Sequence, residues 1–100
     1  EQLPPLRTAR DRCVAAAAAG CVYALGGTGL EELGGLATAE LFDSSSLRWL
    51  EAPPLPTARS WCAGCRVDGA AFCVLGGSDD GRRSLAVAEL FDSGAGRWEV

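Results

Sequence analysis

The sequence predicts an all-β fold built from two copies of one four-stranded antiparallel unit. Three observations predict it. The chain repeats itself: Thr8-Ala9-Arg10 returns as Thr57-Ala58-Arg59, Ala39-Glu40-Leu41-Phe42-Asp43-Ser44 as Ala88-Glu89-Leu90-Phe91-Asp92-Ser93, and Arg48-Trp49 as Arg97-Trp98. The offset is 49 residues, except that Gly26-Gly27 returns as Gly76-Gly77 at 50. Second, the apolar runs are about five residues long, the length of strands rather than helices. Third, 13 glycines and 5 prolines separate those runs, as turn residues do in a meander. A period near 50 belongs to repeat architectures in which one unit cannot bury its apolar face alone. Residues 1–51 and 52–100 are the two units.

Each unit opens on a proline-rich rim, Leu3-Pro4-Pro5-Leu6-Arg7 or Ala52-Pro53-Pro54-Leu55-Pro56. Proline cannot donate to a ladder and fixes φ, so the rim is a connection. Residues 13–19 and 62–67 are predicted as the first strand. Five consecutive alanines, 15–19, favour helix on propensity alone. The equivalent stretch, Ala63-Gly64-Cys65-Arg66-Val67-Asp68-Gly69, has two glycines and would make a poor helix. The repeat therefore decides for strand, where small side chains suit close packing.

Gly20 and Asp68-Gly69 mark a tight turn. Cys21-Val22-Tyr23-Ala24-Leu25 and Ala71-Phe72-Cys73-Val74-Leu75 are the second strand, read as covered on both faces because they are continuously apolar. The double glycines end it, allowing positive φ or close backbone approach. A longer, variable loop follows over 28–36 and 78–84. Residues 37–42 and 85–91 are the third strand. Asp43-Ser44-Ser45-Ser46 and Asp92-Ser93-Gly94-Ala95-Gly96 are the next turn, and 48–51 and 97–100 are the fourth strand.

Composition narrows the function. Net charge is −4, from 9 basic and 13 acidic residues, which argues against non-specific nucleic-acid binding. No apolar stretch is long enough to span a bilayer as a helix. The opening Glu1-Gln2-Leu3-Pro4-Pro5 does not read as a signal peptide, and a chain beginning on Glu1 without methionine is expected to be an excerpt of something longer. Five cysteines (Cys13, Cys21, Cys62, Cys65, Cys73) are an odd number and favour reduced thiols, hence a cytoplasmic setting. They are read as small buried hydrophobes.

There is no histidine, so no Ser–His or Cys–His pair exists, and no enzymatic activity is expected. Cys62-x-x-Cys65 has metal-like spacing. It lacks further ligands, and residues three apart on a strand face opposite ways, so no metal and no cofactor is expected. Gly26-Gly27-Thr28-Gly29 lacks the Lys-Ser/Thr of a phosphate-binding loop.

The order of features is that of a known repeat: an apolar strand, a double glycine, an aromatic, then a tryptophan after six residues (Phe42 to Trp49, Phe91 to Trp98). In this the chain resembles the kelch repeat, over nearly its whole length, twice. The family's usual tyrosine is Phe42 and Phe91 here. The resemblance implies a β-propeller with one blade per repeat, and a ring needs typically four to eight blades. Two blades therefore require completion, by further blades or by homo-oligomerisation, with three chains giving six blades favoured. It also implies that Trp49, Trp98, Phe42 and Phe91 pack between blades, and that Glu40 and Glu89 are half-buried acceptors for arginine or backbone donors. Arg10 and Arg59, identical in both copies, are read as their structural partners. Some kelch-like propellers are copper oxidases; this segment lacks the histidines for that.

A meander sends the loop between its second and third strands, and the connection between units, to one end. Loops on a rigid scaffold carry binding. Arg7, Arg10, Asp11 and Arg12 are expected to converge there, with Arg59, Ser60 and Trp61; the loops add Thr28, Glu31, Glu32, Ser78, Asp79, Asp80, Arg82 and Arg83. In kelch substrate receptors the position two beyond the connection's arginine faces the central pocket, which carries over to Arg12 and Trp61. Arginine and tryptophan are favoured hot-spot types. The implied function is protein or peptide recognition, by resemblance the substrate-recognition part of a cullin–RING ubiquitin ligase adaptor whose BTB or F-box domain would lie elsewhere. A self-assembling or engineered propeller fragment without a ligand, and an actin-binding scaffold, are the alternatives.

Overall fold

The computed structural model describes residues 3–29, 36–79 and 83–99. It contains two four-stranded antiparallel sheets, each with its strands in chain order. The first sheet is β1 (Val14–Ala18), β2 (Cys21–Leu25), β3 (Ala39–Asp43) and β4 (Arg48–Ala52). The second is β5 (Ala63–Asp68), β6 (Ala71–Leu75), β7 (Ala88–Asp92) and β8 (Arg97–Glu99). Among the described residues there is no helix long and apolar enough to cross a membrane.

The alanine run is a strand, as the repeat requires. Ala15 pairs with Ala24 and Ala16 with Tyr23. A five-residue helix could not offset its nucleation cost, whereas β1 gains a ladder and a neighbour. Ala19 leaves the strand at φ 52° and forms with Gly20 (φ 78°) the two-residue hairpin turn, its N–H donating 2.7 Å to the carbonyl of Gly69 in the second sheet.

Strand ends differ from the sequence reading in physical ways. Cys13 and Cys62 lie outside β1 and β5, and β5 continues through Asp68 past a register shift between Arg66 and Asp68. The third strands begin later, at Ala39 and Ala88, because the carbonyls before them are used otherwise. Those of Thr38 and Val87 accept the N–H of Gly26 and Gly76, and that of Ala37 accepts Leu55 N–H. Asp43 and Asp92, expected in turns, close β3 and β7, and Ala52 extends β4 by pairing with Ala39.

Side chains alternate between the faces of each sheet, and the two sheets use opposite faces to meet. Val14, Tyr23, Leu25, Ala39 and Ala52 lie on one face of the first sheet; all are buried. Phe72, Val74 and Phe91 lie on the facing side of the second; all are buried. The Tyr23 ring sits 5.1 Å from Phe72 and 5.3 Å from Phe91, and Phe91 lies 5.1 Å from Trp98. Burying rings of this size dominates core energetics. β1 runs along β5 and β6, and a Cβ on Gly64 would fall 2.9 Å from Val14 Cγ2.

In the single chain the outer faces are largely open, so three expectations of burial are not met within it. The second strands are not covered on both sides: Val22 is 46% exposed and Leu75 42%. Phe42 and Trp49 touch with their rings tilted 59° to each other, centroids 5.3 Å apart, but are only half-buried and do not lie between the two sheets as Phe91 and Trp98 do. The cysteines are not buried hydrophobes: Cys13 and Cys65 are exposed and the other three intermediate. Cys65 and Cys73 pair across β5 and β6 on the outer face of the second sheet, Cys65 exposed and Cys73 half-buried.

Candidate functional site

The β2–β3 and β6–β7 loops emerge at the same end as the connections leading into β1 and β5. Two backbone bridges fasten them. Asp11 and Thr28 exchange N–H···O bonds of 3.0 and 2.7 Å; Ser60 and Ser78 do the same at 2.9 and 2.8 Å. The double glycines make room for this. A Cβ on Gly27 (φ 93°) would fall 2.5 Å from the Asp11 carbonyl, and one on Gly77 (φ 90°) 2.5 Å from that of Ser60. No other residue type fits.

Beneath the loops sits a repeated buried ion pair. Arg10 Nη2 donates to Glu40 at 2.9 Å, and its Nη1 to the carbonyls of Gly26 and Thr38. Arg59 Nη2 donates to Glu89 at 2.7 Å, and its Nη1 to the carbonyls of Gly76 and Val87. Arg7 and Thr8 N–H also donate to Glu40, and the Thr57 hydroxyl to Glu89. Both arginine side chains are fully buried, and Glu40 and Glu89 are 3% and 6% exposed, deeper than the half-burial expected of them. Arg10 is accordingly turned into the protein rather than converging on the open face. Among the described residues the buried Nε of both arginines has no hydrogen-bond partner.

Two residues further on, the chain does something unusual. Arg12 (φ 55°) and Trp61 (φ 61°) both adopt the left-handed backbone conformation. For a bulky residue this is a genuine outlier, and such strain persists where surrounding structure enforces it. Trp61 N–H donates 2.9 Å to the Arg12 carbonyl across the sheet junction. The Arg12 guanidinium lies 4.7 Å from the Trp61 ring centroid, with Nη1 3.2 Å from the Asp11 carboxylate. Trp61 is nevertheless 67% exposed. A cavity of about 320 Å³ opens beside them, lined by Ala9, Arg10, Asp11, Arg12, Thr28 and Gly29.

The sequence-derived candidates thus divide. Asp11, Arg12, Trp61 and Thr28 come together at this surface. Ser60 is buried, and its backbone is engaged with half-buried Ser78. The Asp79 carboxylate accepts the N–H of Arg83, closing its own loop. Arg82, Asp80, Glu31 and Glu32 lie outside the described residues. Among the described residues no group of three metal-ligating side chains occurs. Burial raises the Cys62 thiol above its ordinary range, opposed by nearby Arg59, which makes it a poor nucleophile.

One repeated contact has no counterpart in the apolar roles read for the tryptophans. Trp49 Nε1–H donates 2.9 Å to the Pro4 carbonyl, and Trp98 Nε1–H 3.2 Å to that of Pro53. Both pairs are 45 residues apart. The shared spacing of Pro-Pro and Trp in the two copies was the available signal.

No known family profile matches the chain, and no curated protein is significantly similar to it.

Proposed function

We propose that the two sheets are consecutive blades of a kelch-type β-propeller, and that the loop end carrying Arg12 and Trp61 is a non-enzymatic recognition surface for a protein or peptide. The ring is completed by further blades or by further copies. The observation that carries the recognition reading is the paired left-handed conformation of Arg12 and Trp61. A guanidinium and an indole are held exposed and in contact at equivalent positions, although glycine would relieve the backbone. Strain of this kind collects at functional sites, and both side chains are hot-spot types. The guanidinium already shares the Asp11 carboxylate. A carboxylate ligand would therefore displace Asp11 and gain a bidentate partner backed by an aromatic plane.

By resemblance, the biological setting is cytoplasmic substrate recruitment to cullin–RING ligase machinery through domains not contained in this segment. The competing reading, a self-assembling propeller fragment without a ligand, is favoured by the uncovered outer faces of both sheets. A peptide-display screen separates the two. Recognition predicts binders lost in Arg12→Ala and Trp61→Ala. Arg12→Gly and Trp61→Gly would lose binding while unfolding at higher temperature, because they release backbone strain. An exhaustive screen without binders, or binders indifferent to both positions, would contradict it.

A further inference from the structure

Each uncovered face is the sequence equivalent of a face already buried inside the chain. The buried junction joins the Tyr23 face of the first sheet to the Phe72 face of the second. What remains exposed is the Val22 face of the first sheet, equivalent to the Phe72 face, and the Cys73 face of the second, equivalent to the Tyr23 face. One chain therefore carries both halves of a second junction, at opposite ends. We infer that the occupant of each face is a second copy of this chain, docked head to tail, with its residues 6–12 laid across Gly76-Gly77 of the first. This rests on reading the sheets as consecutive blades.

The internal junction supplies the template. There, Arg59 N–H donates 3.1 Å to the Leu36 carbonyl, Gly27 N–H donates 2.9 Å to the Arg59 carbonyl, and Leu55 N–H donates 2.7 Å to the Ala37 carbonyl. A Cβ on Gly26 would fall 2.6 Å from the Arg59 carbonyl and 3.2 Å from Leu55 Cδ1. Gly76 has the same backbone (φ 62° against 61°), yet among the described residues the nearest neighbour of its Cβ would be the Leu85 carbonyl at 3.4 Å. The crevice is built but unfilled. The incoming copy would place Arg10 where Arg59 lies and Leu6 where Leu55 lies, with Leu85 presenting the carbonyl that Leu36 presents.

Side-chain sizes agree along β1 and β5. Inside the chain Val14 sits over Gly64. Outside, the equivalent pair is exposed Ala63 against exposed Ala15: one position shrinks and its counterpart grows. The aromatic centre does not repeat, since Cys73 and Val22 replace Tyr23 and Phe72. The second junction is therefore the weaker one, and association is concentration-dependent.

The contact joins two different faces, so it is heterologous and closes into a ring only if the rotation allows. Light scattering across a dilution series tests it with Val22→Arg and Leu75→Arg, each placing a charge on one exposed strand position. The wild-type chain is expected to exceed the mass of one 10.3 kDa chain, reaching three times that value in a closed ring. Each variant alone is expected to be monomeric. Mixed, the two give only a dimer, because one intact junction remains. A wild-type chain that stays monomeric up to about 1 mM, where even a contact worth roughly 4 kcal/mol would register, overturns the inference. So does association that survives in either variant. Should an arginine variant unfold, Val22→Thr and Leu75→Thr, which keep strand propensity, carry the comparison. Trp61→Ala is expected to leave the mass unchanged, so loss of recognition and loss of assembly are read separately.

Discussion

Gly26 and Gly76 occupy equivalent positions, yet alanine at the two should cost very different amounts. Both sit near φ +60°, where an L-residue loses about 1–2 kcal/mol. At Gly76 that is nearly the whole cost, because the added Cβ meets one carbonyl oxygen at a tight but tolerable 3.4 Å. At Gly26 the Cβ meets the Arg59 carbonyl at 2.6 Å. That oxygen belongs to a backbone held on both sides, and it cannot yield cheaply. Overpacking of this kind costs about 1–3 kcal/mol more, so Gly26→Ala should exceed Gly76→Ala by about that amount. In a domain this small each kcal/mol moves the melting midpoint by about 4–8 °C. Urea unfolding followed by tryptophan fluorescence reads the difference. Dilute protein in a Val22→Arg background keeps the chain monomeric. Gly27→Ala and Gly77→Ala are the internal control: both meet a carbonyl at 2.5 Å and should cost the same as each other. Equal costs at Gly26 and Gly76 would refute the claim that the connection over 55–59 closes on the first sheet alone.

Three further outcomes follow from particular contacts. Leu47 is 61% exposed at φ 57°, where the second copy has Gly96 at φ 71°; Leu47→Gly should stabilise by about 1 kcal/mol in the same unfolding assay. Tyr23 is the only tyrosine, and burial, followed by the nearby Cys21 thiol, raises its phenol above the ordinary value. Below pH 10 the phenol is protonated in both states; above it the unfolded chain ionises first, so stability falls as pH rises toward the folded value. Tyr23→Phe should remove that alkaline loss, with tyrosinate absorbance in the parent chain reporting the single site. Arg59→Met strands the buried Glu89 carboxylate and should cost about 3–5 kcal/mol by calorimetry. Adding Glu89→Leu should recover part of it, though the carbonyls of Gly76 and Val87 still lose the guanidinium donor, Val87 keeping only the Gly76 N–H.

How much of this was legible in the sequence depends on whether the repeat carried it. The meander, the strand identity of the alanine run and the double-glycine turns were legible because two imperfect copies test each other: Gly64 argued against the helix that Ala15 to Ala19 suggested. The Arg–Glu pairing was legible in kind, because Arg10, Arg59, Glu40 and Glu89 recur together. Burial was not. Val22 and Phe72, or Leu25 and Leu75, are equivalent in sequence, yet one of each pair is covered and the other open. That difference comes from where a residue stands in the stack, which local pattern cannot express. The left-handed backbone of Arg12 and Trp61 was likewise hidden, since neither is a residue that positive φ selects. The Trp-to-proline-carbonyl bonds required knowing that the rim of each unit folds back beside its own fourth strand.

The central claim is that the two sheets meet through opposite faces, the Tyr23 face of the first against the Phe72 face of the second. Nuclear Overhauser contacts from the Tyr23 ring test it most directly. Strong cross-peaks to the rings of both Phe72 and Phe91 are expected, given centroid separations of 5.1 and 5.3 Å. A Tyr23 ring that sees protons of β1 and β3 but of neither phenylalanine would contradict it.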